Sequence, residues 1–145
     1  PKPLNLFGRR FLFYFPFFKK IDDIYELRFT GYNKEILVPV LSGCFMFCNY
    51  NNLLKENGFD ERFFMYLEDV DLSRRMYKYK NFYYPDISVI HKHNKESYKT
   101  LKMTFIHIKS AIKYFNKWGW IFDNERKKIN KRTLFNLGYF NMNKN

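Results

Sequence analysis

Three stretches of mostly apolar residues have patterns that are typical of β-strands. Residues 35–40 predict a strand that ends at a proline. Residues 41–49 alternate cysteine and methionine with phenylalanine, which predicts a strand buried on both faces. Residues 81–90 predict a strand, a turn at Pro85 and a second strand that ends at His91.

Other stretches follow the helical period. Residues 51–57 predict a short helix closed by Gly58, because glycine accepts the left-handed conformation that ends many helices. Residues 70–80 predict a second helix. Residues 97–117 predict a basic amphipathic helix, whose lysine face is either simply solvated or docks on anionic lipid. Residues 122–145 are polar and basic and predict a short helix with a frayed tail.

An aromatic run at residues 11–18 lies between two pairs of basic residues. The run is far too short to span a bilayer. It lies in a membrane interface, or it packs on the core of the domain or on a partner half. No signal-peptide cleavage site follows it. The chain begins at Pro1 and not at methionine, which indicates a fragment, a processed product or a recombinant piece.

Composition narrows the class of protein. With 145 residues, 46% of them hydrophobic and 22% aromatic, the chain is one ordinary domain with a core of its own, and disorder is excluded. The net charge of +12 indicates an anionic partner, which is nucleic acid, a membrane surface or a phosphorylated substrate. Cys44 and Cys48 would lie roughly 13 Å apart on a strand, too far for a disulfide. They are predicted to be buried free thiols in a reducing compartment.

The stretch with the most candidate functional residues is 58–75, which combines a turn glycine, an aromatic run and several carboxylates. At its centre, Glu68 and Asp69 end an apolar-aromatic run. Partial desolvation raises the proton affinity of such a carboxylate, which makes it a candidate general base. Alternatively, the acidic side chains only begin a helix and complement its dipole, with Asp71 and Arg75 paired one turn apart.

The same stretch resembles the acceptor-side motif of family 2 glycosyltransferases, especially the rhamnosyltransferase-like branch. The matching segments, in order and without gaps, are Gly58-Phe59-Asp60, Phe63-Phe64-Met65-Tyr66, Glu68-Asp69, Asp71 and Arg75. The resemblance runs from about residue 38 to residue 117, so residues 1–37 form a loosely matching lead-in. Residues 118–145 form a basic C-terminal helix and tail that hardly matches.

The resemblance implies an α/β fold, namely the C-terminal portion of a GT-A (nucleotide-diphospho-sugar transferase-like) fold. This portion would have a short mixed sheet with flanking helices. The nucleotide-binding half, which precedes it in the family, is expected to be missing from these residues. The chain alone is therefore expected to lack donor affinity, and its own activity is open.

The resemblance also implies roles for individual residues. Asp69 matches the catalytic base, and Glu68 beside it would hold the acceptor or tune Asp69. Gly43, in a small-residue pair with Ser42, and Tyr66 would line the acceptor site. His91 matches a ligand of the divalent metal, Mn²⁺ or Mg²⁺, which is expected only when the donor-binding half is present.

By this resemblance, the chain is part of an inverting enzyme that transfers a single sugar from a sugar nucleotide. The acceptor would be a glycan or a lipid-linked sugar in surface polysaccharide synthesis. The Gln/Arg-x-x-Arg-Trp signature of processive relatives is absent from the sequence. The expected location is the cytoplasm or the inner face of the membrane, with peripheral membrane contact and no nucleic acid. The competing hypothesis is a non-catalytic basic module that binds anionic lipid or nucleic acid.

Overall fold

The chain forms a helix-rich α/β structure with a small sheet, as seen in a computed structural model that describes residues 1–11, 16–91 and 100–142. The helices in these ranges are α1 (Pro3–Phe11), α2 (Pro16–Tyr25), α3 (Tyr50–Lys55), α4 (Glu68–Met76), α5 (Leu101–Trp118), α6 (Asn124–Asn136) and α7 (Tyr139–Met142). Single 3₁₀ turns lie at Arg28–Thr30 and Tyr77–Tyr79. The strands are β1 (Ile36–Leu37) and β2 (Phe82–Tyr83), which pair antiparallel with Ile36 opposite Tyr83 and Leu37 opposite Phe82.

The predicted strand at residues 41–49 is wrong. This segment is irregular, and the Phe47 side chain is 95% exposed. The Leu41 N–H donates to Ser73 Oγ at 3.0 Å and the Gly43 N–H donates to Asp69, so side chains take the bonds that a neighbouring strand would need. Cys44 and Cys48 are free, as predicted, but Cys44 is exposed, which corrects the expectation of buried thiols.

The strand predicted to end at His91 is also absent. Residues 84–91 follow β2 as a turn at Pro85-Asp86 and then as irregular, exposed chain. Ile87 and Ile90 point outward instead of into a core. The apolar pattern of this segment therefore does not come from a strand in the described part of the chain.

The predicted helices are confirmed. Helix α3 begins at Asn49, whose side chain accepts the Asn52 N–H at 3.1 Å, and it is closed by Gly58 at φ +61°. Helix α4 starts two residues before its predicted start and ends in a 3₁₀ turn. Helix α5 begins at Thr100, while residues 97–99 of its predicted range lie outside the described residues.

The ends of the chain contain more helix than the sequence indicated. The apolar run at residues 11–18 falls on the end of α1 and the start of α2, with residues 12–15 outside the described part. The polar segment after residue 122 forms α6 and the short α7. The proposed division of the chain at residues 37 and 117 stays a prediction.

The core lies between α4, α5 and the aromatic run that precedes α4. Its buried members are Phe63, Leu67, Val70, Ala111, Tyr114 and Phe115. The buried residues of α5 are Ser110, Ala111, Tyr114 and Phe115, which follow the i, i+1, i+4, i+5 spacing of one helix face. That face is therefore inside, and the other side of the helix is in solvent. This packing fixes the start of α4 against the middle of α5.

A fully buried carboxylate joins these elements. Asp71 on α4 is 0% exposed. One of its oxygens accepts from Arg75 Nε at 2.8 Å, and the other contacts Lys117 Nζ and Trp118 Nε1, both at 2.7 Å. Lys117 also pairs with Asp60 at 2.7 Å. The network therefore ties α4, the end of α5 and the turn before the aromatic run together.

We predict that Asp71→Asn destabilises the fold by about 3–5 kcal/mol, because removing one partner of a buried ion pair leaves the cations uncompensated. Urea unfolding followed by circular dichroism measures the change. Asp86→Asn, at an exposed aspartate, is the control and should change the free energy of unfolding by less than about 0.5 kcal/mol. Equal stabilities of the two variants would contradict the role of Asp71.

Candidate active site

An unusual turn brings the acidic pair to the start of α4. Tyr66 and Leu67 both have positive φ angles, 67° and 68°, in the left-handed region that non-glycine residues seldom adopt. Burial of Leu67 and an edge-to-face contact of Tyr66 with His107, at 5.1 Å between ring centroids, hold this turn. Strained backbone of this kind often occurs at functional sites. The turn places Glu68 and Asp69 in the first turn of the helix.

Gly43 and Asp69 are in direct contact, although 26 positions separate them. The Gly43 N–H donates to Asp69 Oδ2 at 2.8 Å, and Asp69 Oδ1 accepts the Val70 N–H at 2.8 Å. A Cβ atom at position 43 would lie only 3.0 Å from Asp69 Cβ, so the backbone approaches more closely than a larger residue allows. Each carboxylate oxygen retains a second lone pair for another donor.

Glu68 differs from Asp69 in its surroundings. Burial raises the pKa of Glu68 above its ordinary value by more than a backbone hydrogen bond lowers it, and the negative charge of Asp69 adds a smaller increase. Its Oε2 atom is buried and has no hydrogen-bond partner among the described residues. A buried oxygen without a donor is uncommon in folded proteins.

A cleft of about 770 Å³ opens beside Asp69. Most of its wall is apolar and comes from β1 and the residues after it, from α1, α2 and α6, and from Tyr114 on α5. Ser42, Asp69 and Arg74 bring polar groups to this wall, whereas Glu68, Gly43, Tyr66 and His91 are not part of it. Of the predicted site residues, Asp69 therefore lines the cleft, Gly43 contacts Asp69, and Glu68 precedes it in the chain.

Arg74 is a residue of this cleft that sequence reasoning missed. Its guanidinium donates to both carboxylate oxygens of Asp123 at 2.6 and 2.8 Å and lies 4.2 Å from the Trp118 ring centroid. The side chain is only 7% exposed. Since 49 positions separate Arg74 from Asp123, no local spacing could reveal the pair.

The described residues do not by themselves form a metal site. His91 lies on the exposed irregular chain after β2, and its predicted role as a metal ligand stays a prediction. Nowhere in residues 1–11, 16–91 and 100–142 do three His, Cys, Asp or Glu side chains cluster as ligands for one ion. The expected Mn²⁺ or Mg²⁺ stays a prediction. Within the same ranges, no helix is both long and apolar enough to cross a bilayer.

We predict that Gly43→Ala displaces the Asp69 side chain, because the new methyl group would stand 3.0 Å from Asp69 Cβ. Overpacking of this kind costs about 1–3 kcal/mol. Urea unfolding gives the stability change, and the amide proton shift of Val70, which donates to Asp69, reports the displacement of that side chain. Ser42→Ala, at the neighbouring exposed residue, should leave both readouts unchanged. An unaltered Val70 amide shift in Gly43→Ala would show that the contact is not constraining.

We also predict a pH dependence from Glu68. Its raised pKa means that the folded state holds the proton more tightly than the unfolded chain, so stability falls as the pH rises from the ordinary glutamate value of about 4.3 through the folded pKa. Glu68→Gln removes this dependence. The free energy of unfolding of the parent, minus that of the variant, should therefore decrease as the pH rises above the ordinary glutamate value of about 4.3.

Urea unfolding at a series of pH values measures this difference. Glu61→Gln, at an exposed glutamate of the same segment, is the matched control. A difference between parent and Glu68→Gln that stays constant or increases with pH would contradict the desolvation of Glu68.

Comparisons with known proteins find bacterial rhamnosyltransferases that match part of this chain. The chain is 31% identical over 84 residues to rhamnosyltransferase WbbL of Escherichia coli, a match that covers 55% of this chain and 31% of that protein. It is 39% identical over 70 residues to the N-acetylglucosaminyl-diphospho-decaprenol L-rhamnosyltransferase of Mycobacterium tuberculosis, covering 43% of this chain and 23% of that protein.

The chain thus matches only about a quarter to a third of the length of these relatives. No family model and no solved structure matches it. The predicted resemblance to rhamnosyltransferase-like, family 2 glycosyltransferases is confirmed at the level of partial homology, and over its matched part this chain is a homologue of bacterial rhamnosyltransferases.

Proposed function

We propose that this chain is the acceptor-side part of a glycosyltransferase that transfers a single sugar, with inversion, from a sugar nucleotide. The acceptor is a glycan or a lipid-linked sugar. The observation that carries the proposal is the fixed position of Asp69, which is held by the Gly43 N–H at the edge of the cleft. Partial homology to two rhamnosyltransferases supports the same class of reaction.

In this proposal, Asp69 accepts the proton of the acceptor hydroxyl. The hydroxyl oxygen forms a bond to the anomeric carbon as the bond from that carbon to the nucleoside diphosphate breaks, and the diphosphate leaves with the electron pair. Two backbone N–H groups orient the carboxylate of Asp69 and leave lone pairs for the acceptor hydroxyl. General base catalysis of this kind contributes about 10²–10⁴-fold to the rate.

Glu68 complements Asp69 in the proposed site. Its raised pKa favours the protonated form, so a second negative charge beside Asp69 is avoided over part of the pH range. Gly43 and Tyr66 contribute through the backbone. Glycine at position 43 allows its backbone to approach Asp69 closely, and the turn at Tyr66 orients the acidic pair.

The donor site and the surrounding fold are part of the same proposal. We assign the chain to the C-terminal portion of a GT-A fold, with the sugar nucleotide held by a separate donor-binding half. His91 is proposed as one ligand of a divalent metal whose other ligands come from elsewhere. The reaction is placed in the cytoplasm at the inner face of the membrane, where the free thiols of Cys44 and Cys48 persist.

We predict that Asp69→Asn lowers sugar transfer by at least about 10²-fold, because the amide cannot accept the acceptor proton as a base. Transfer from a radiolabelled sugar nucleotide is measured in a protein that joins this chain to a donor-binding half, and nucleotide affinity is measured by calorimetry. The affinity of Asp69→Asn for the sugar nucleotide should equal that of the parent protein.

Asp23→Asn on α2 is the control and should leave transfer unchanged. Retained turnover in Asp69→Asn would remove Asp69 from the role of base. Absence of any transfer or nucleotide binding by the parent protein would argue against the glycosyltransferase itself.

A further inference from the structure

The outer side of α5 carries an apolar ridge that nothing in the described structure covers. Leu101, Phe105 and Ile112 are 79%, 69% and 42% exposed. At 3.6 residues per turn, these three side chains leave the helix within about 40° of one another around its axis. They therefore form one line about 16 Å long. The ridge lies in the exposed part of the helix circumference, and its middle is about 130° around the helix axis from the middle of the face that buries Ser110, Ala111, Tyr114 and Phe115.

A row of lysines runs beside this ridge. Lys102 and Lys109 are exposed, and around the helix axis their side chains lie about 40–100° from the ridge residues. Asn116 continues the row and accepts a hydrogen bond from Trp120 Nε1 at 2.8 Å. This bond lays the Trp120 indole along the exposed side of α5. Beyond it, Ile121 and Phe122 are 69% and 88% exposed.

An apolar line next to a cationic line, with a tryptophan at one end, is the arrangement of a helix that lies in a membrane interface. The apolar residues enter the boundary of the acyl chains, the lysines meet lipid phosphates, and the amphipathic indole prefers the headgroup region. The net charge of +12 adds a general attraction to an anionic surface.

Other partners fit this surface less well. Single-stranded nucleic acid binds to aromatic platforms and basic grooves, whereas this ridge is mostly aliphatic and convex. A protein partner would cover the apolar line, but it has no general need for the parallel row of lysines. Charge complementarity therefore favours a bilayer with anionic headgroups.

We propose that the outer side of α5, formed by Leu101, Phe105, Ile112, Lys102 and Lys109 and extended by Trp120, docks on an anionic lipid bilayer. The helix lies parallel to the membrane and does not cross it. This surface is distinct from the acidic pair, so the proposal holds whether or not the chain transfers a sugar.

Cosedimentation of the chain with lipid vesicles tests the proposal. The vesicles are either pure phosphatidylcholine or a mixture in which about a third is phosphatidylglycerol. Binding should be stronger to the anionic vesicles and should weaken at high salt. Lys102→Gln with Lys109→Gln should lower the partition coefficient on anionic vesicles on the order of tenfold, and Phe105→Ser should lower it by a similar factor.

Helix α6 offers matched controls. Lys127→Gln with Lys131→Gln removes the same charge from exposed positions, and Phe135→Ser removes an equally exposed phenylalanine. Circular dichroism checks that all variants fold. Equal loss of binding in the α5 and α6 variants would overturn the assignment to α5.

Two further outcomes would overturn the lipid assignment. One is a dimer, seen by gel filtration, that Phe105→Ser dissolves while vesicle binding is unchanged. The other is salt-sensitive binding of single-stranded DNA through Lys102 and Lys109 with no retention on vesicles.

Discussion

The buried charge of Asp71 is the constraint on which the rest of the structure depends. A carboxylate removed from water must be surrounded by cations and hydrogen-bond donors, or it is too costly to bury. Arg75, Lys117 and Trp118 meet that requirement from two different helices. The need to satisfy one charge thereby fixes α4 against the end of α5. Lys117 extends the constraint to Asp60 in the preceding turn.

The stretch at residues 58–75 therefore contains two groups of residues, one with a structural role and one at the candidate site. Gly58, Asp60, Asp71 and Arg75 build the scaffold: Arg75 donates to the Gly58 carbonyl at 2.7 Å as well as to Asp71. Glu68 and Asp69 lie in the first turn of the same helix, and Asp69 lines the cleft. The helix N-terminus and the Asp71–Arg75 pair that the sequence indicated are both present, and the acid–base role of Glu68 and Asp69 stays a proposal.

The helices could be predicted from the sequence because their determinants are local. Asn49 caps α3, Gly58 closes it, and the buried face of α5 repeats with the helical period. The strands could be predicted only in part, since a strand needs a neighbour to pair with. The two observed strands fall within the strand predicted at residues 35–40 and the first of the two predicted in residues 81–90, whereas the strands predicted at residues 41–49 and before His91 are absent. Residues 41–49 alternate as a strand does, yet their backbone is held by Ser73 and Asp69, which lie more than 25 positions away.

The candidate site was predictable only in part for the same reason. The motif located Glu68 and Asp69, and the resemblance pointed to Gly43, whose contact with Asp69 no spacing rule contains. Arg74 and its bond to Asp123 had no local signal. The left-handed backbone at Tyr66 and Leu67 runs against residue preference, so it could be recognised only in three dimensions.

The two sides of α5 link the candidate site to the exposed ridge. The inner side packs against Leu67 and Val70, which bracket the acidic pair, and the outer side carries the ridge. Any surface that binds the ridge is therefore held away from the acidic pair by the thickness of one helix, about 10 Å. With the ridge on a bilayer, α5 would therefore act as a spacer that keeps the acidic pair above the lipid surface instead of on it.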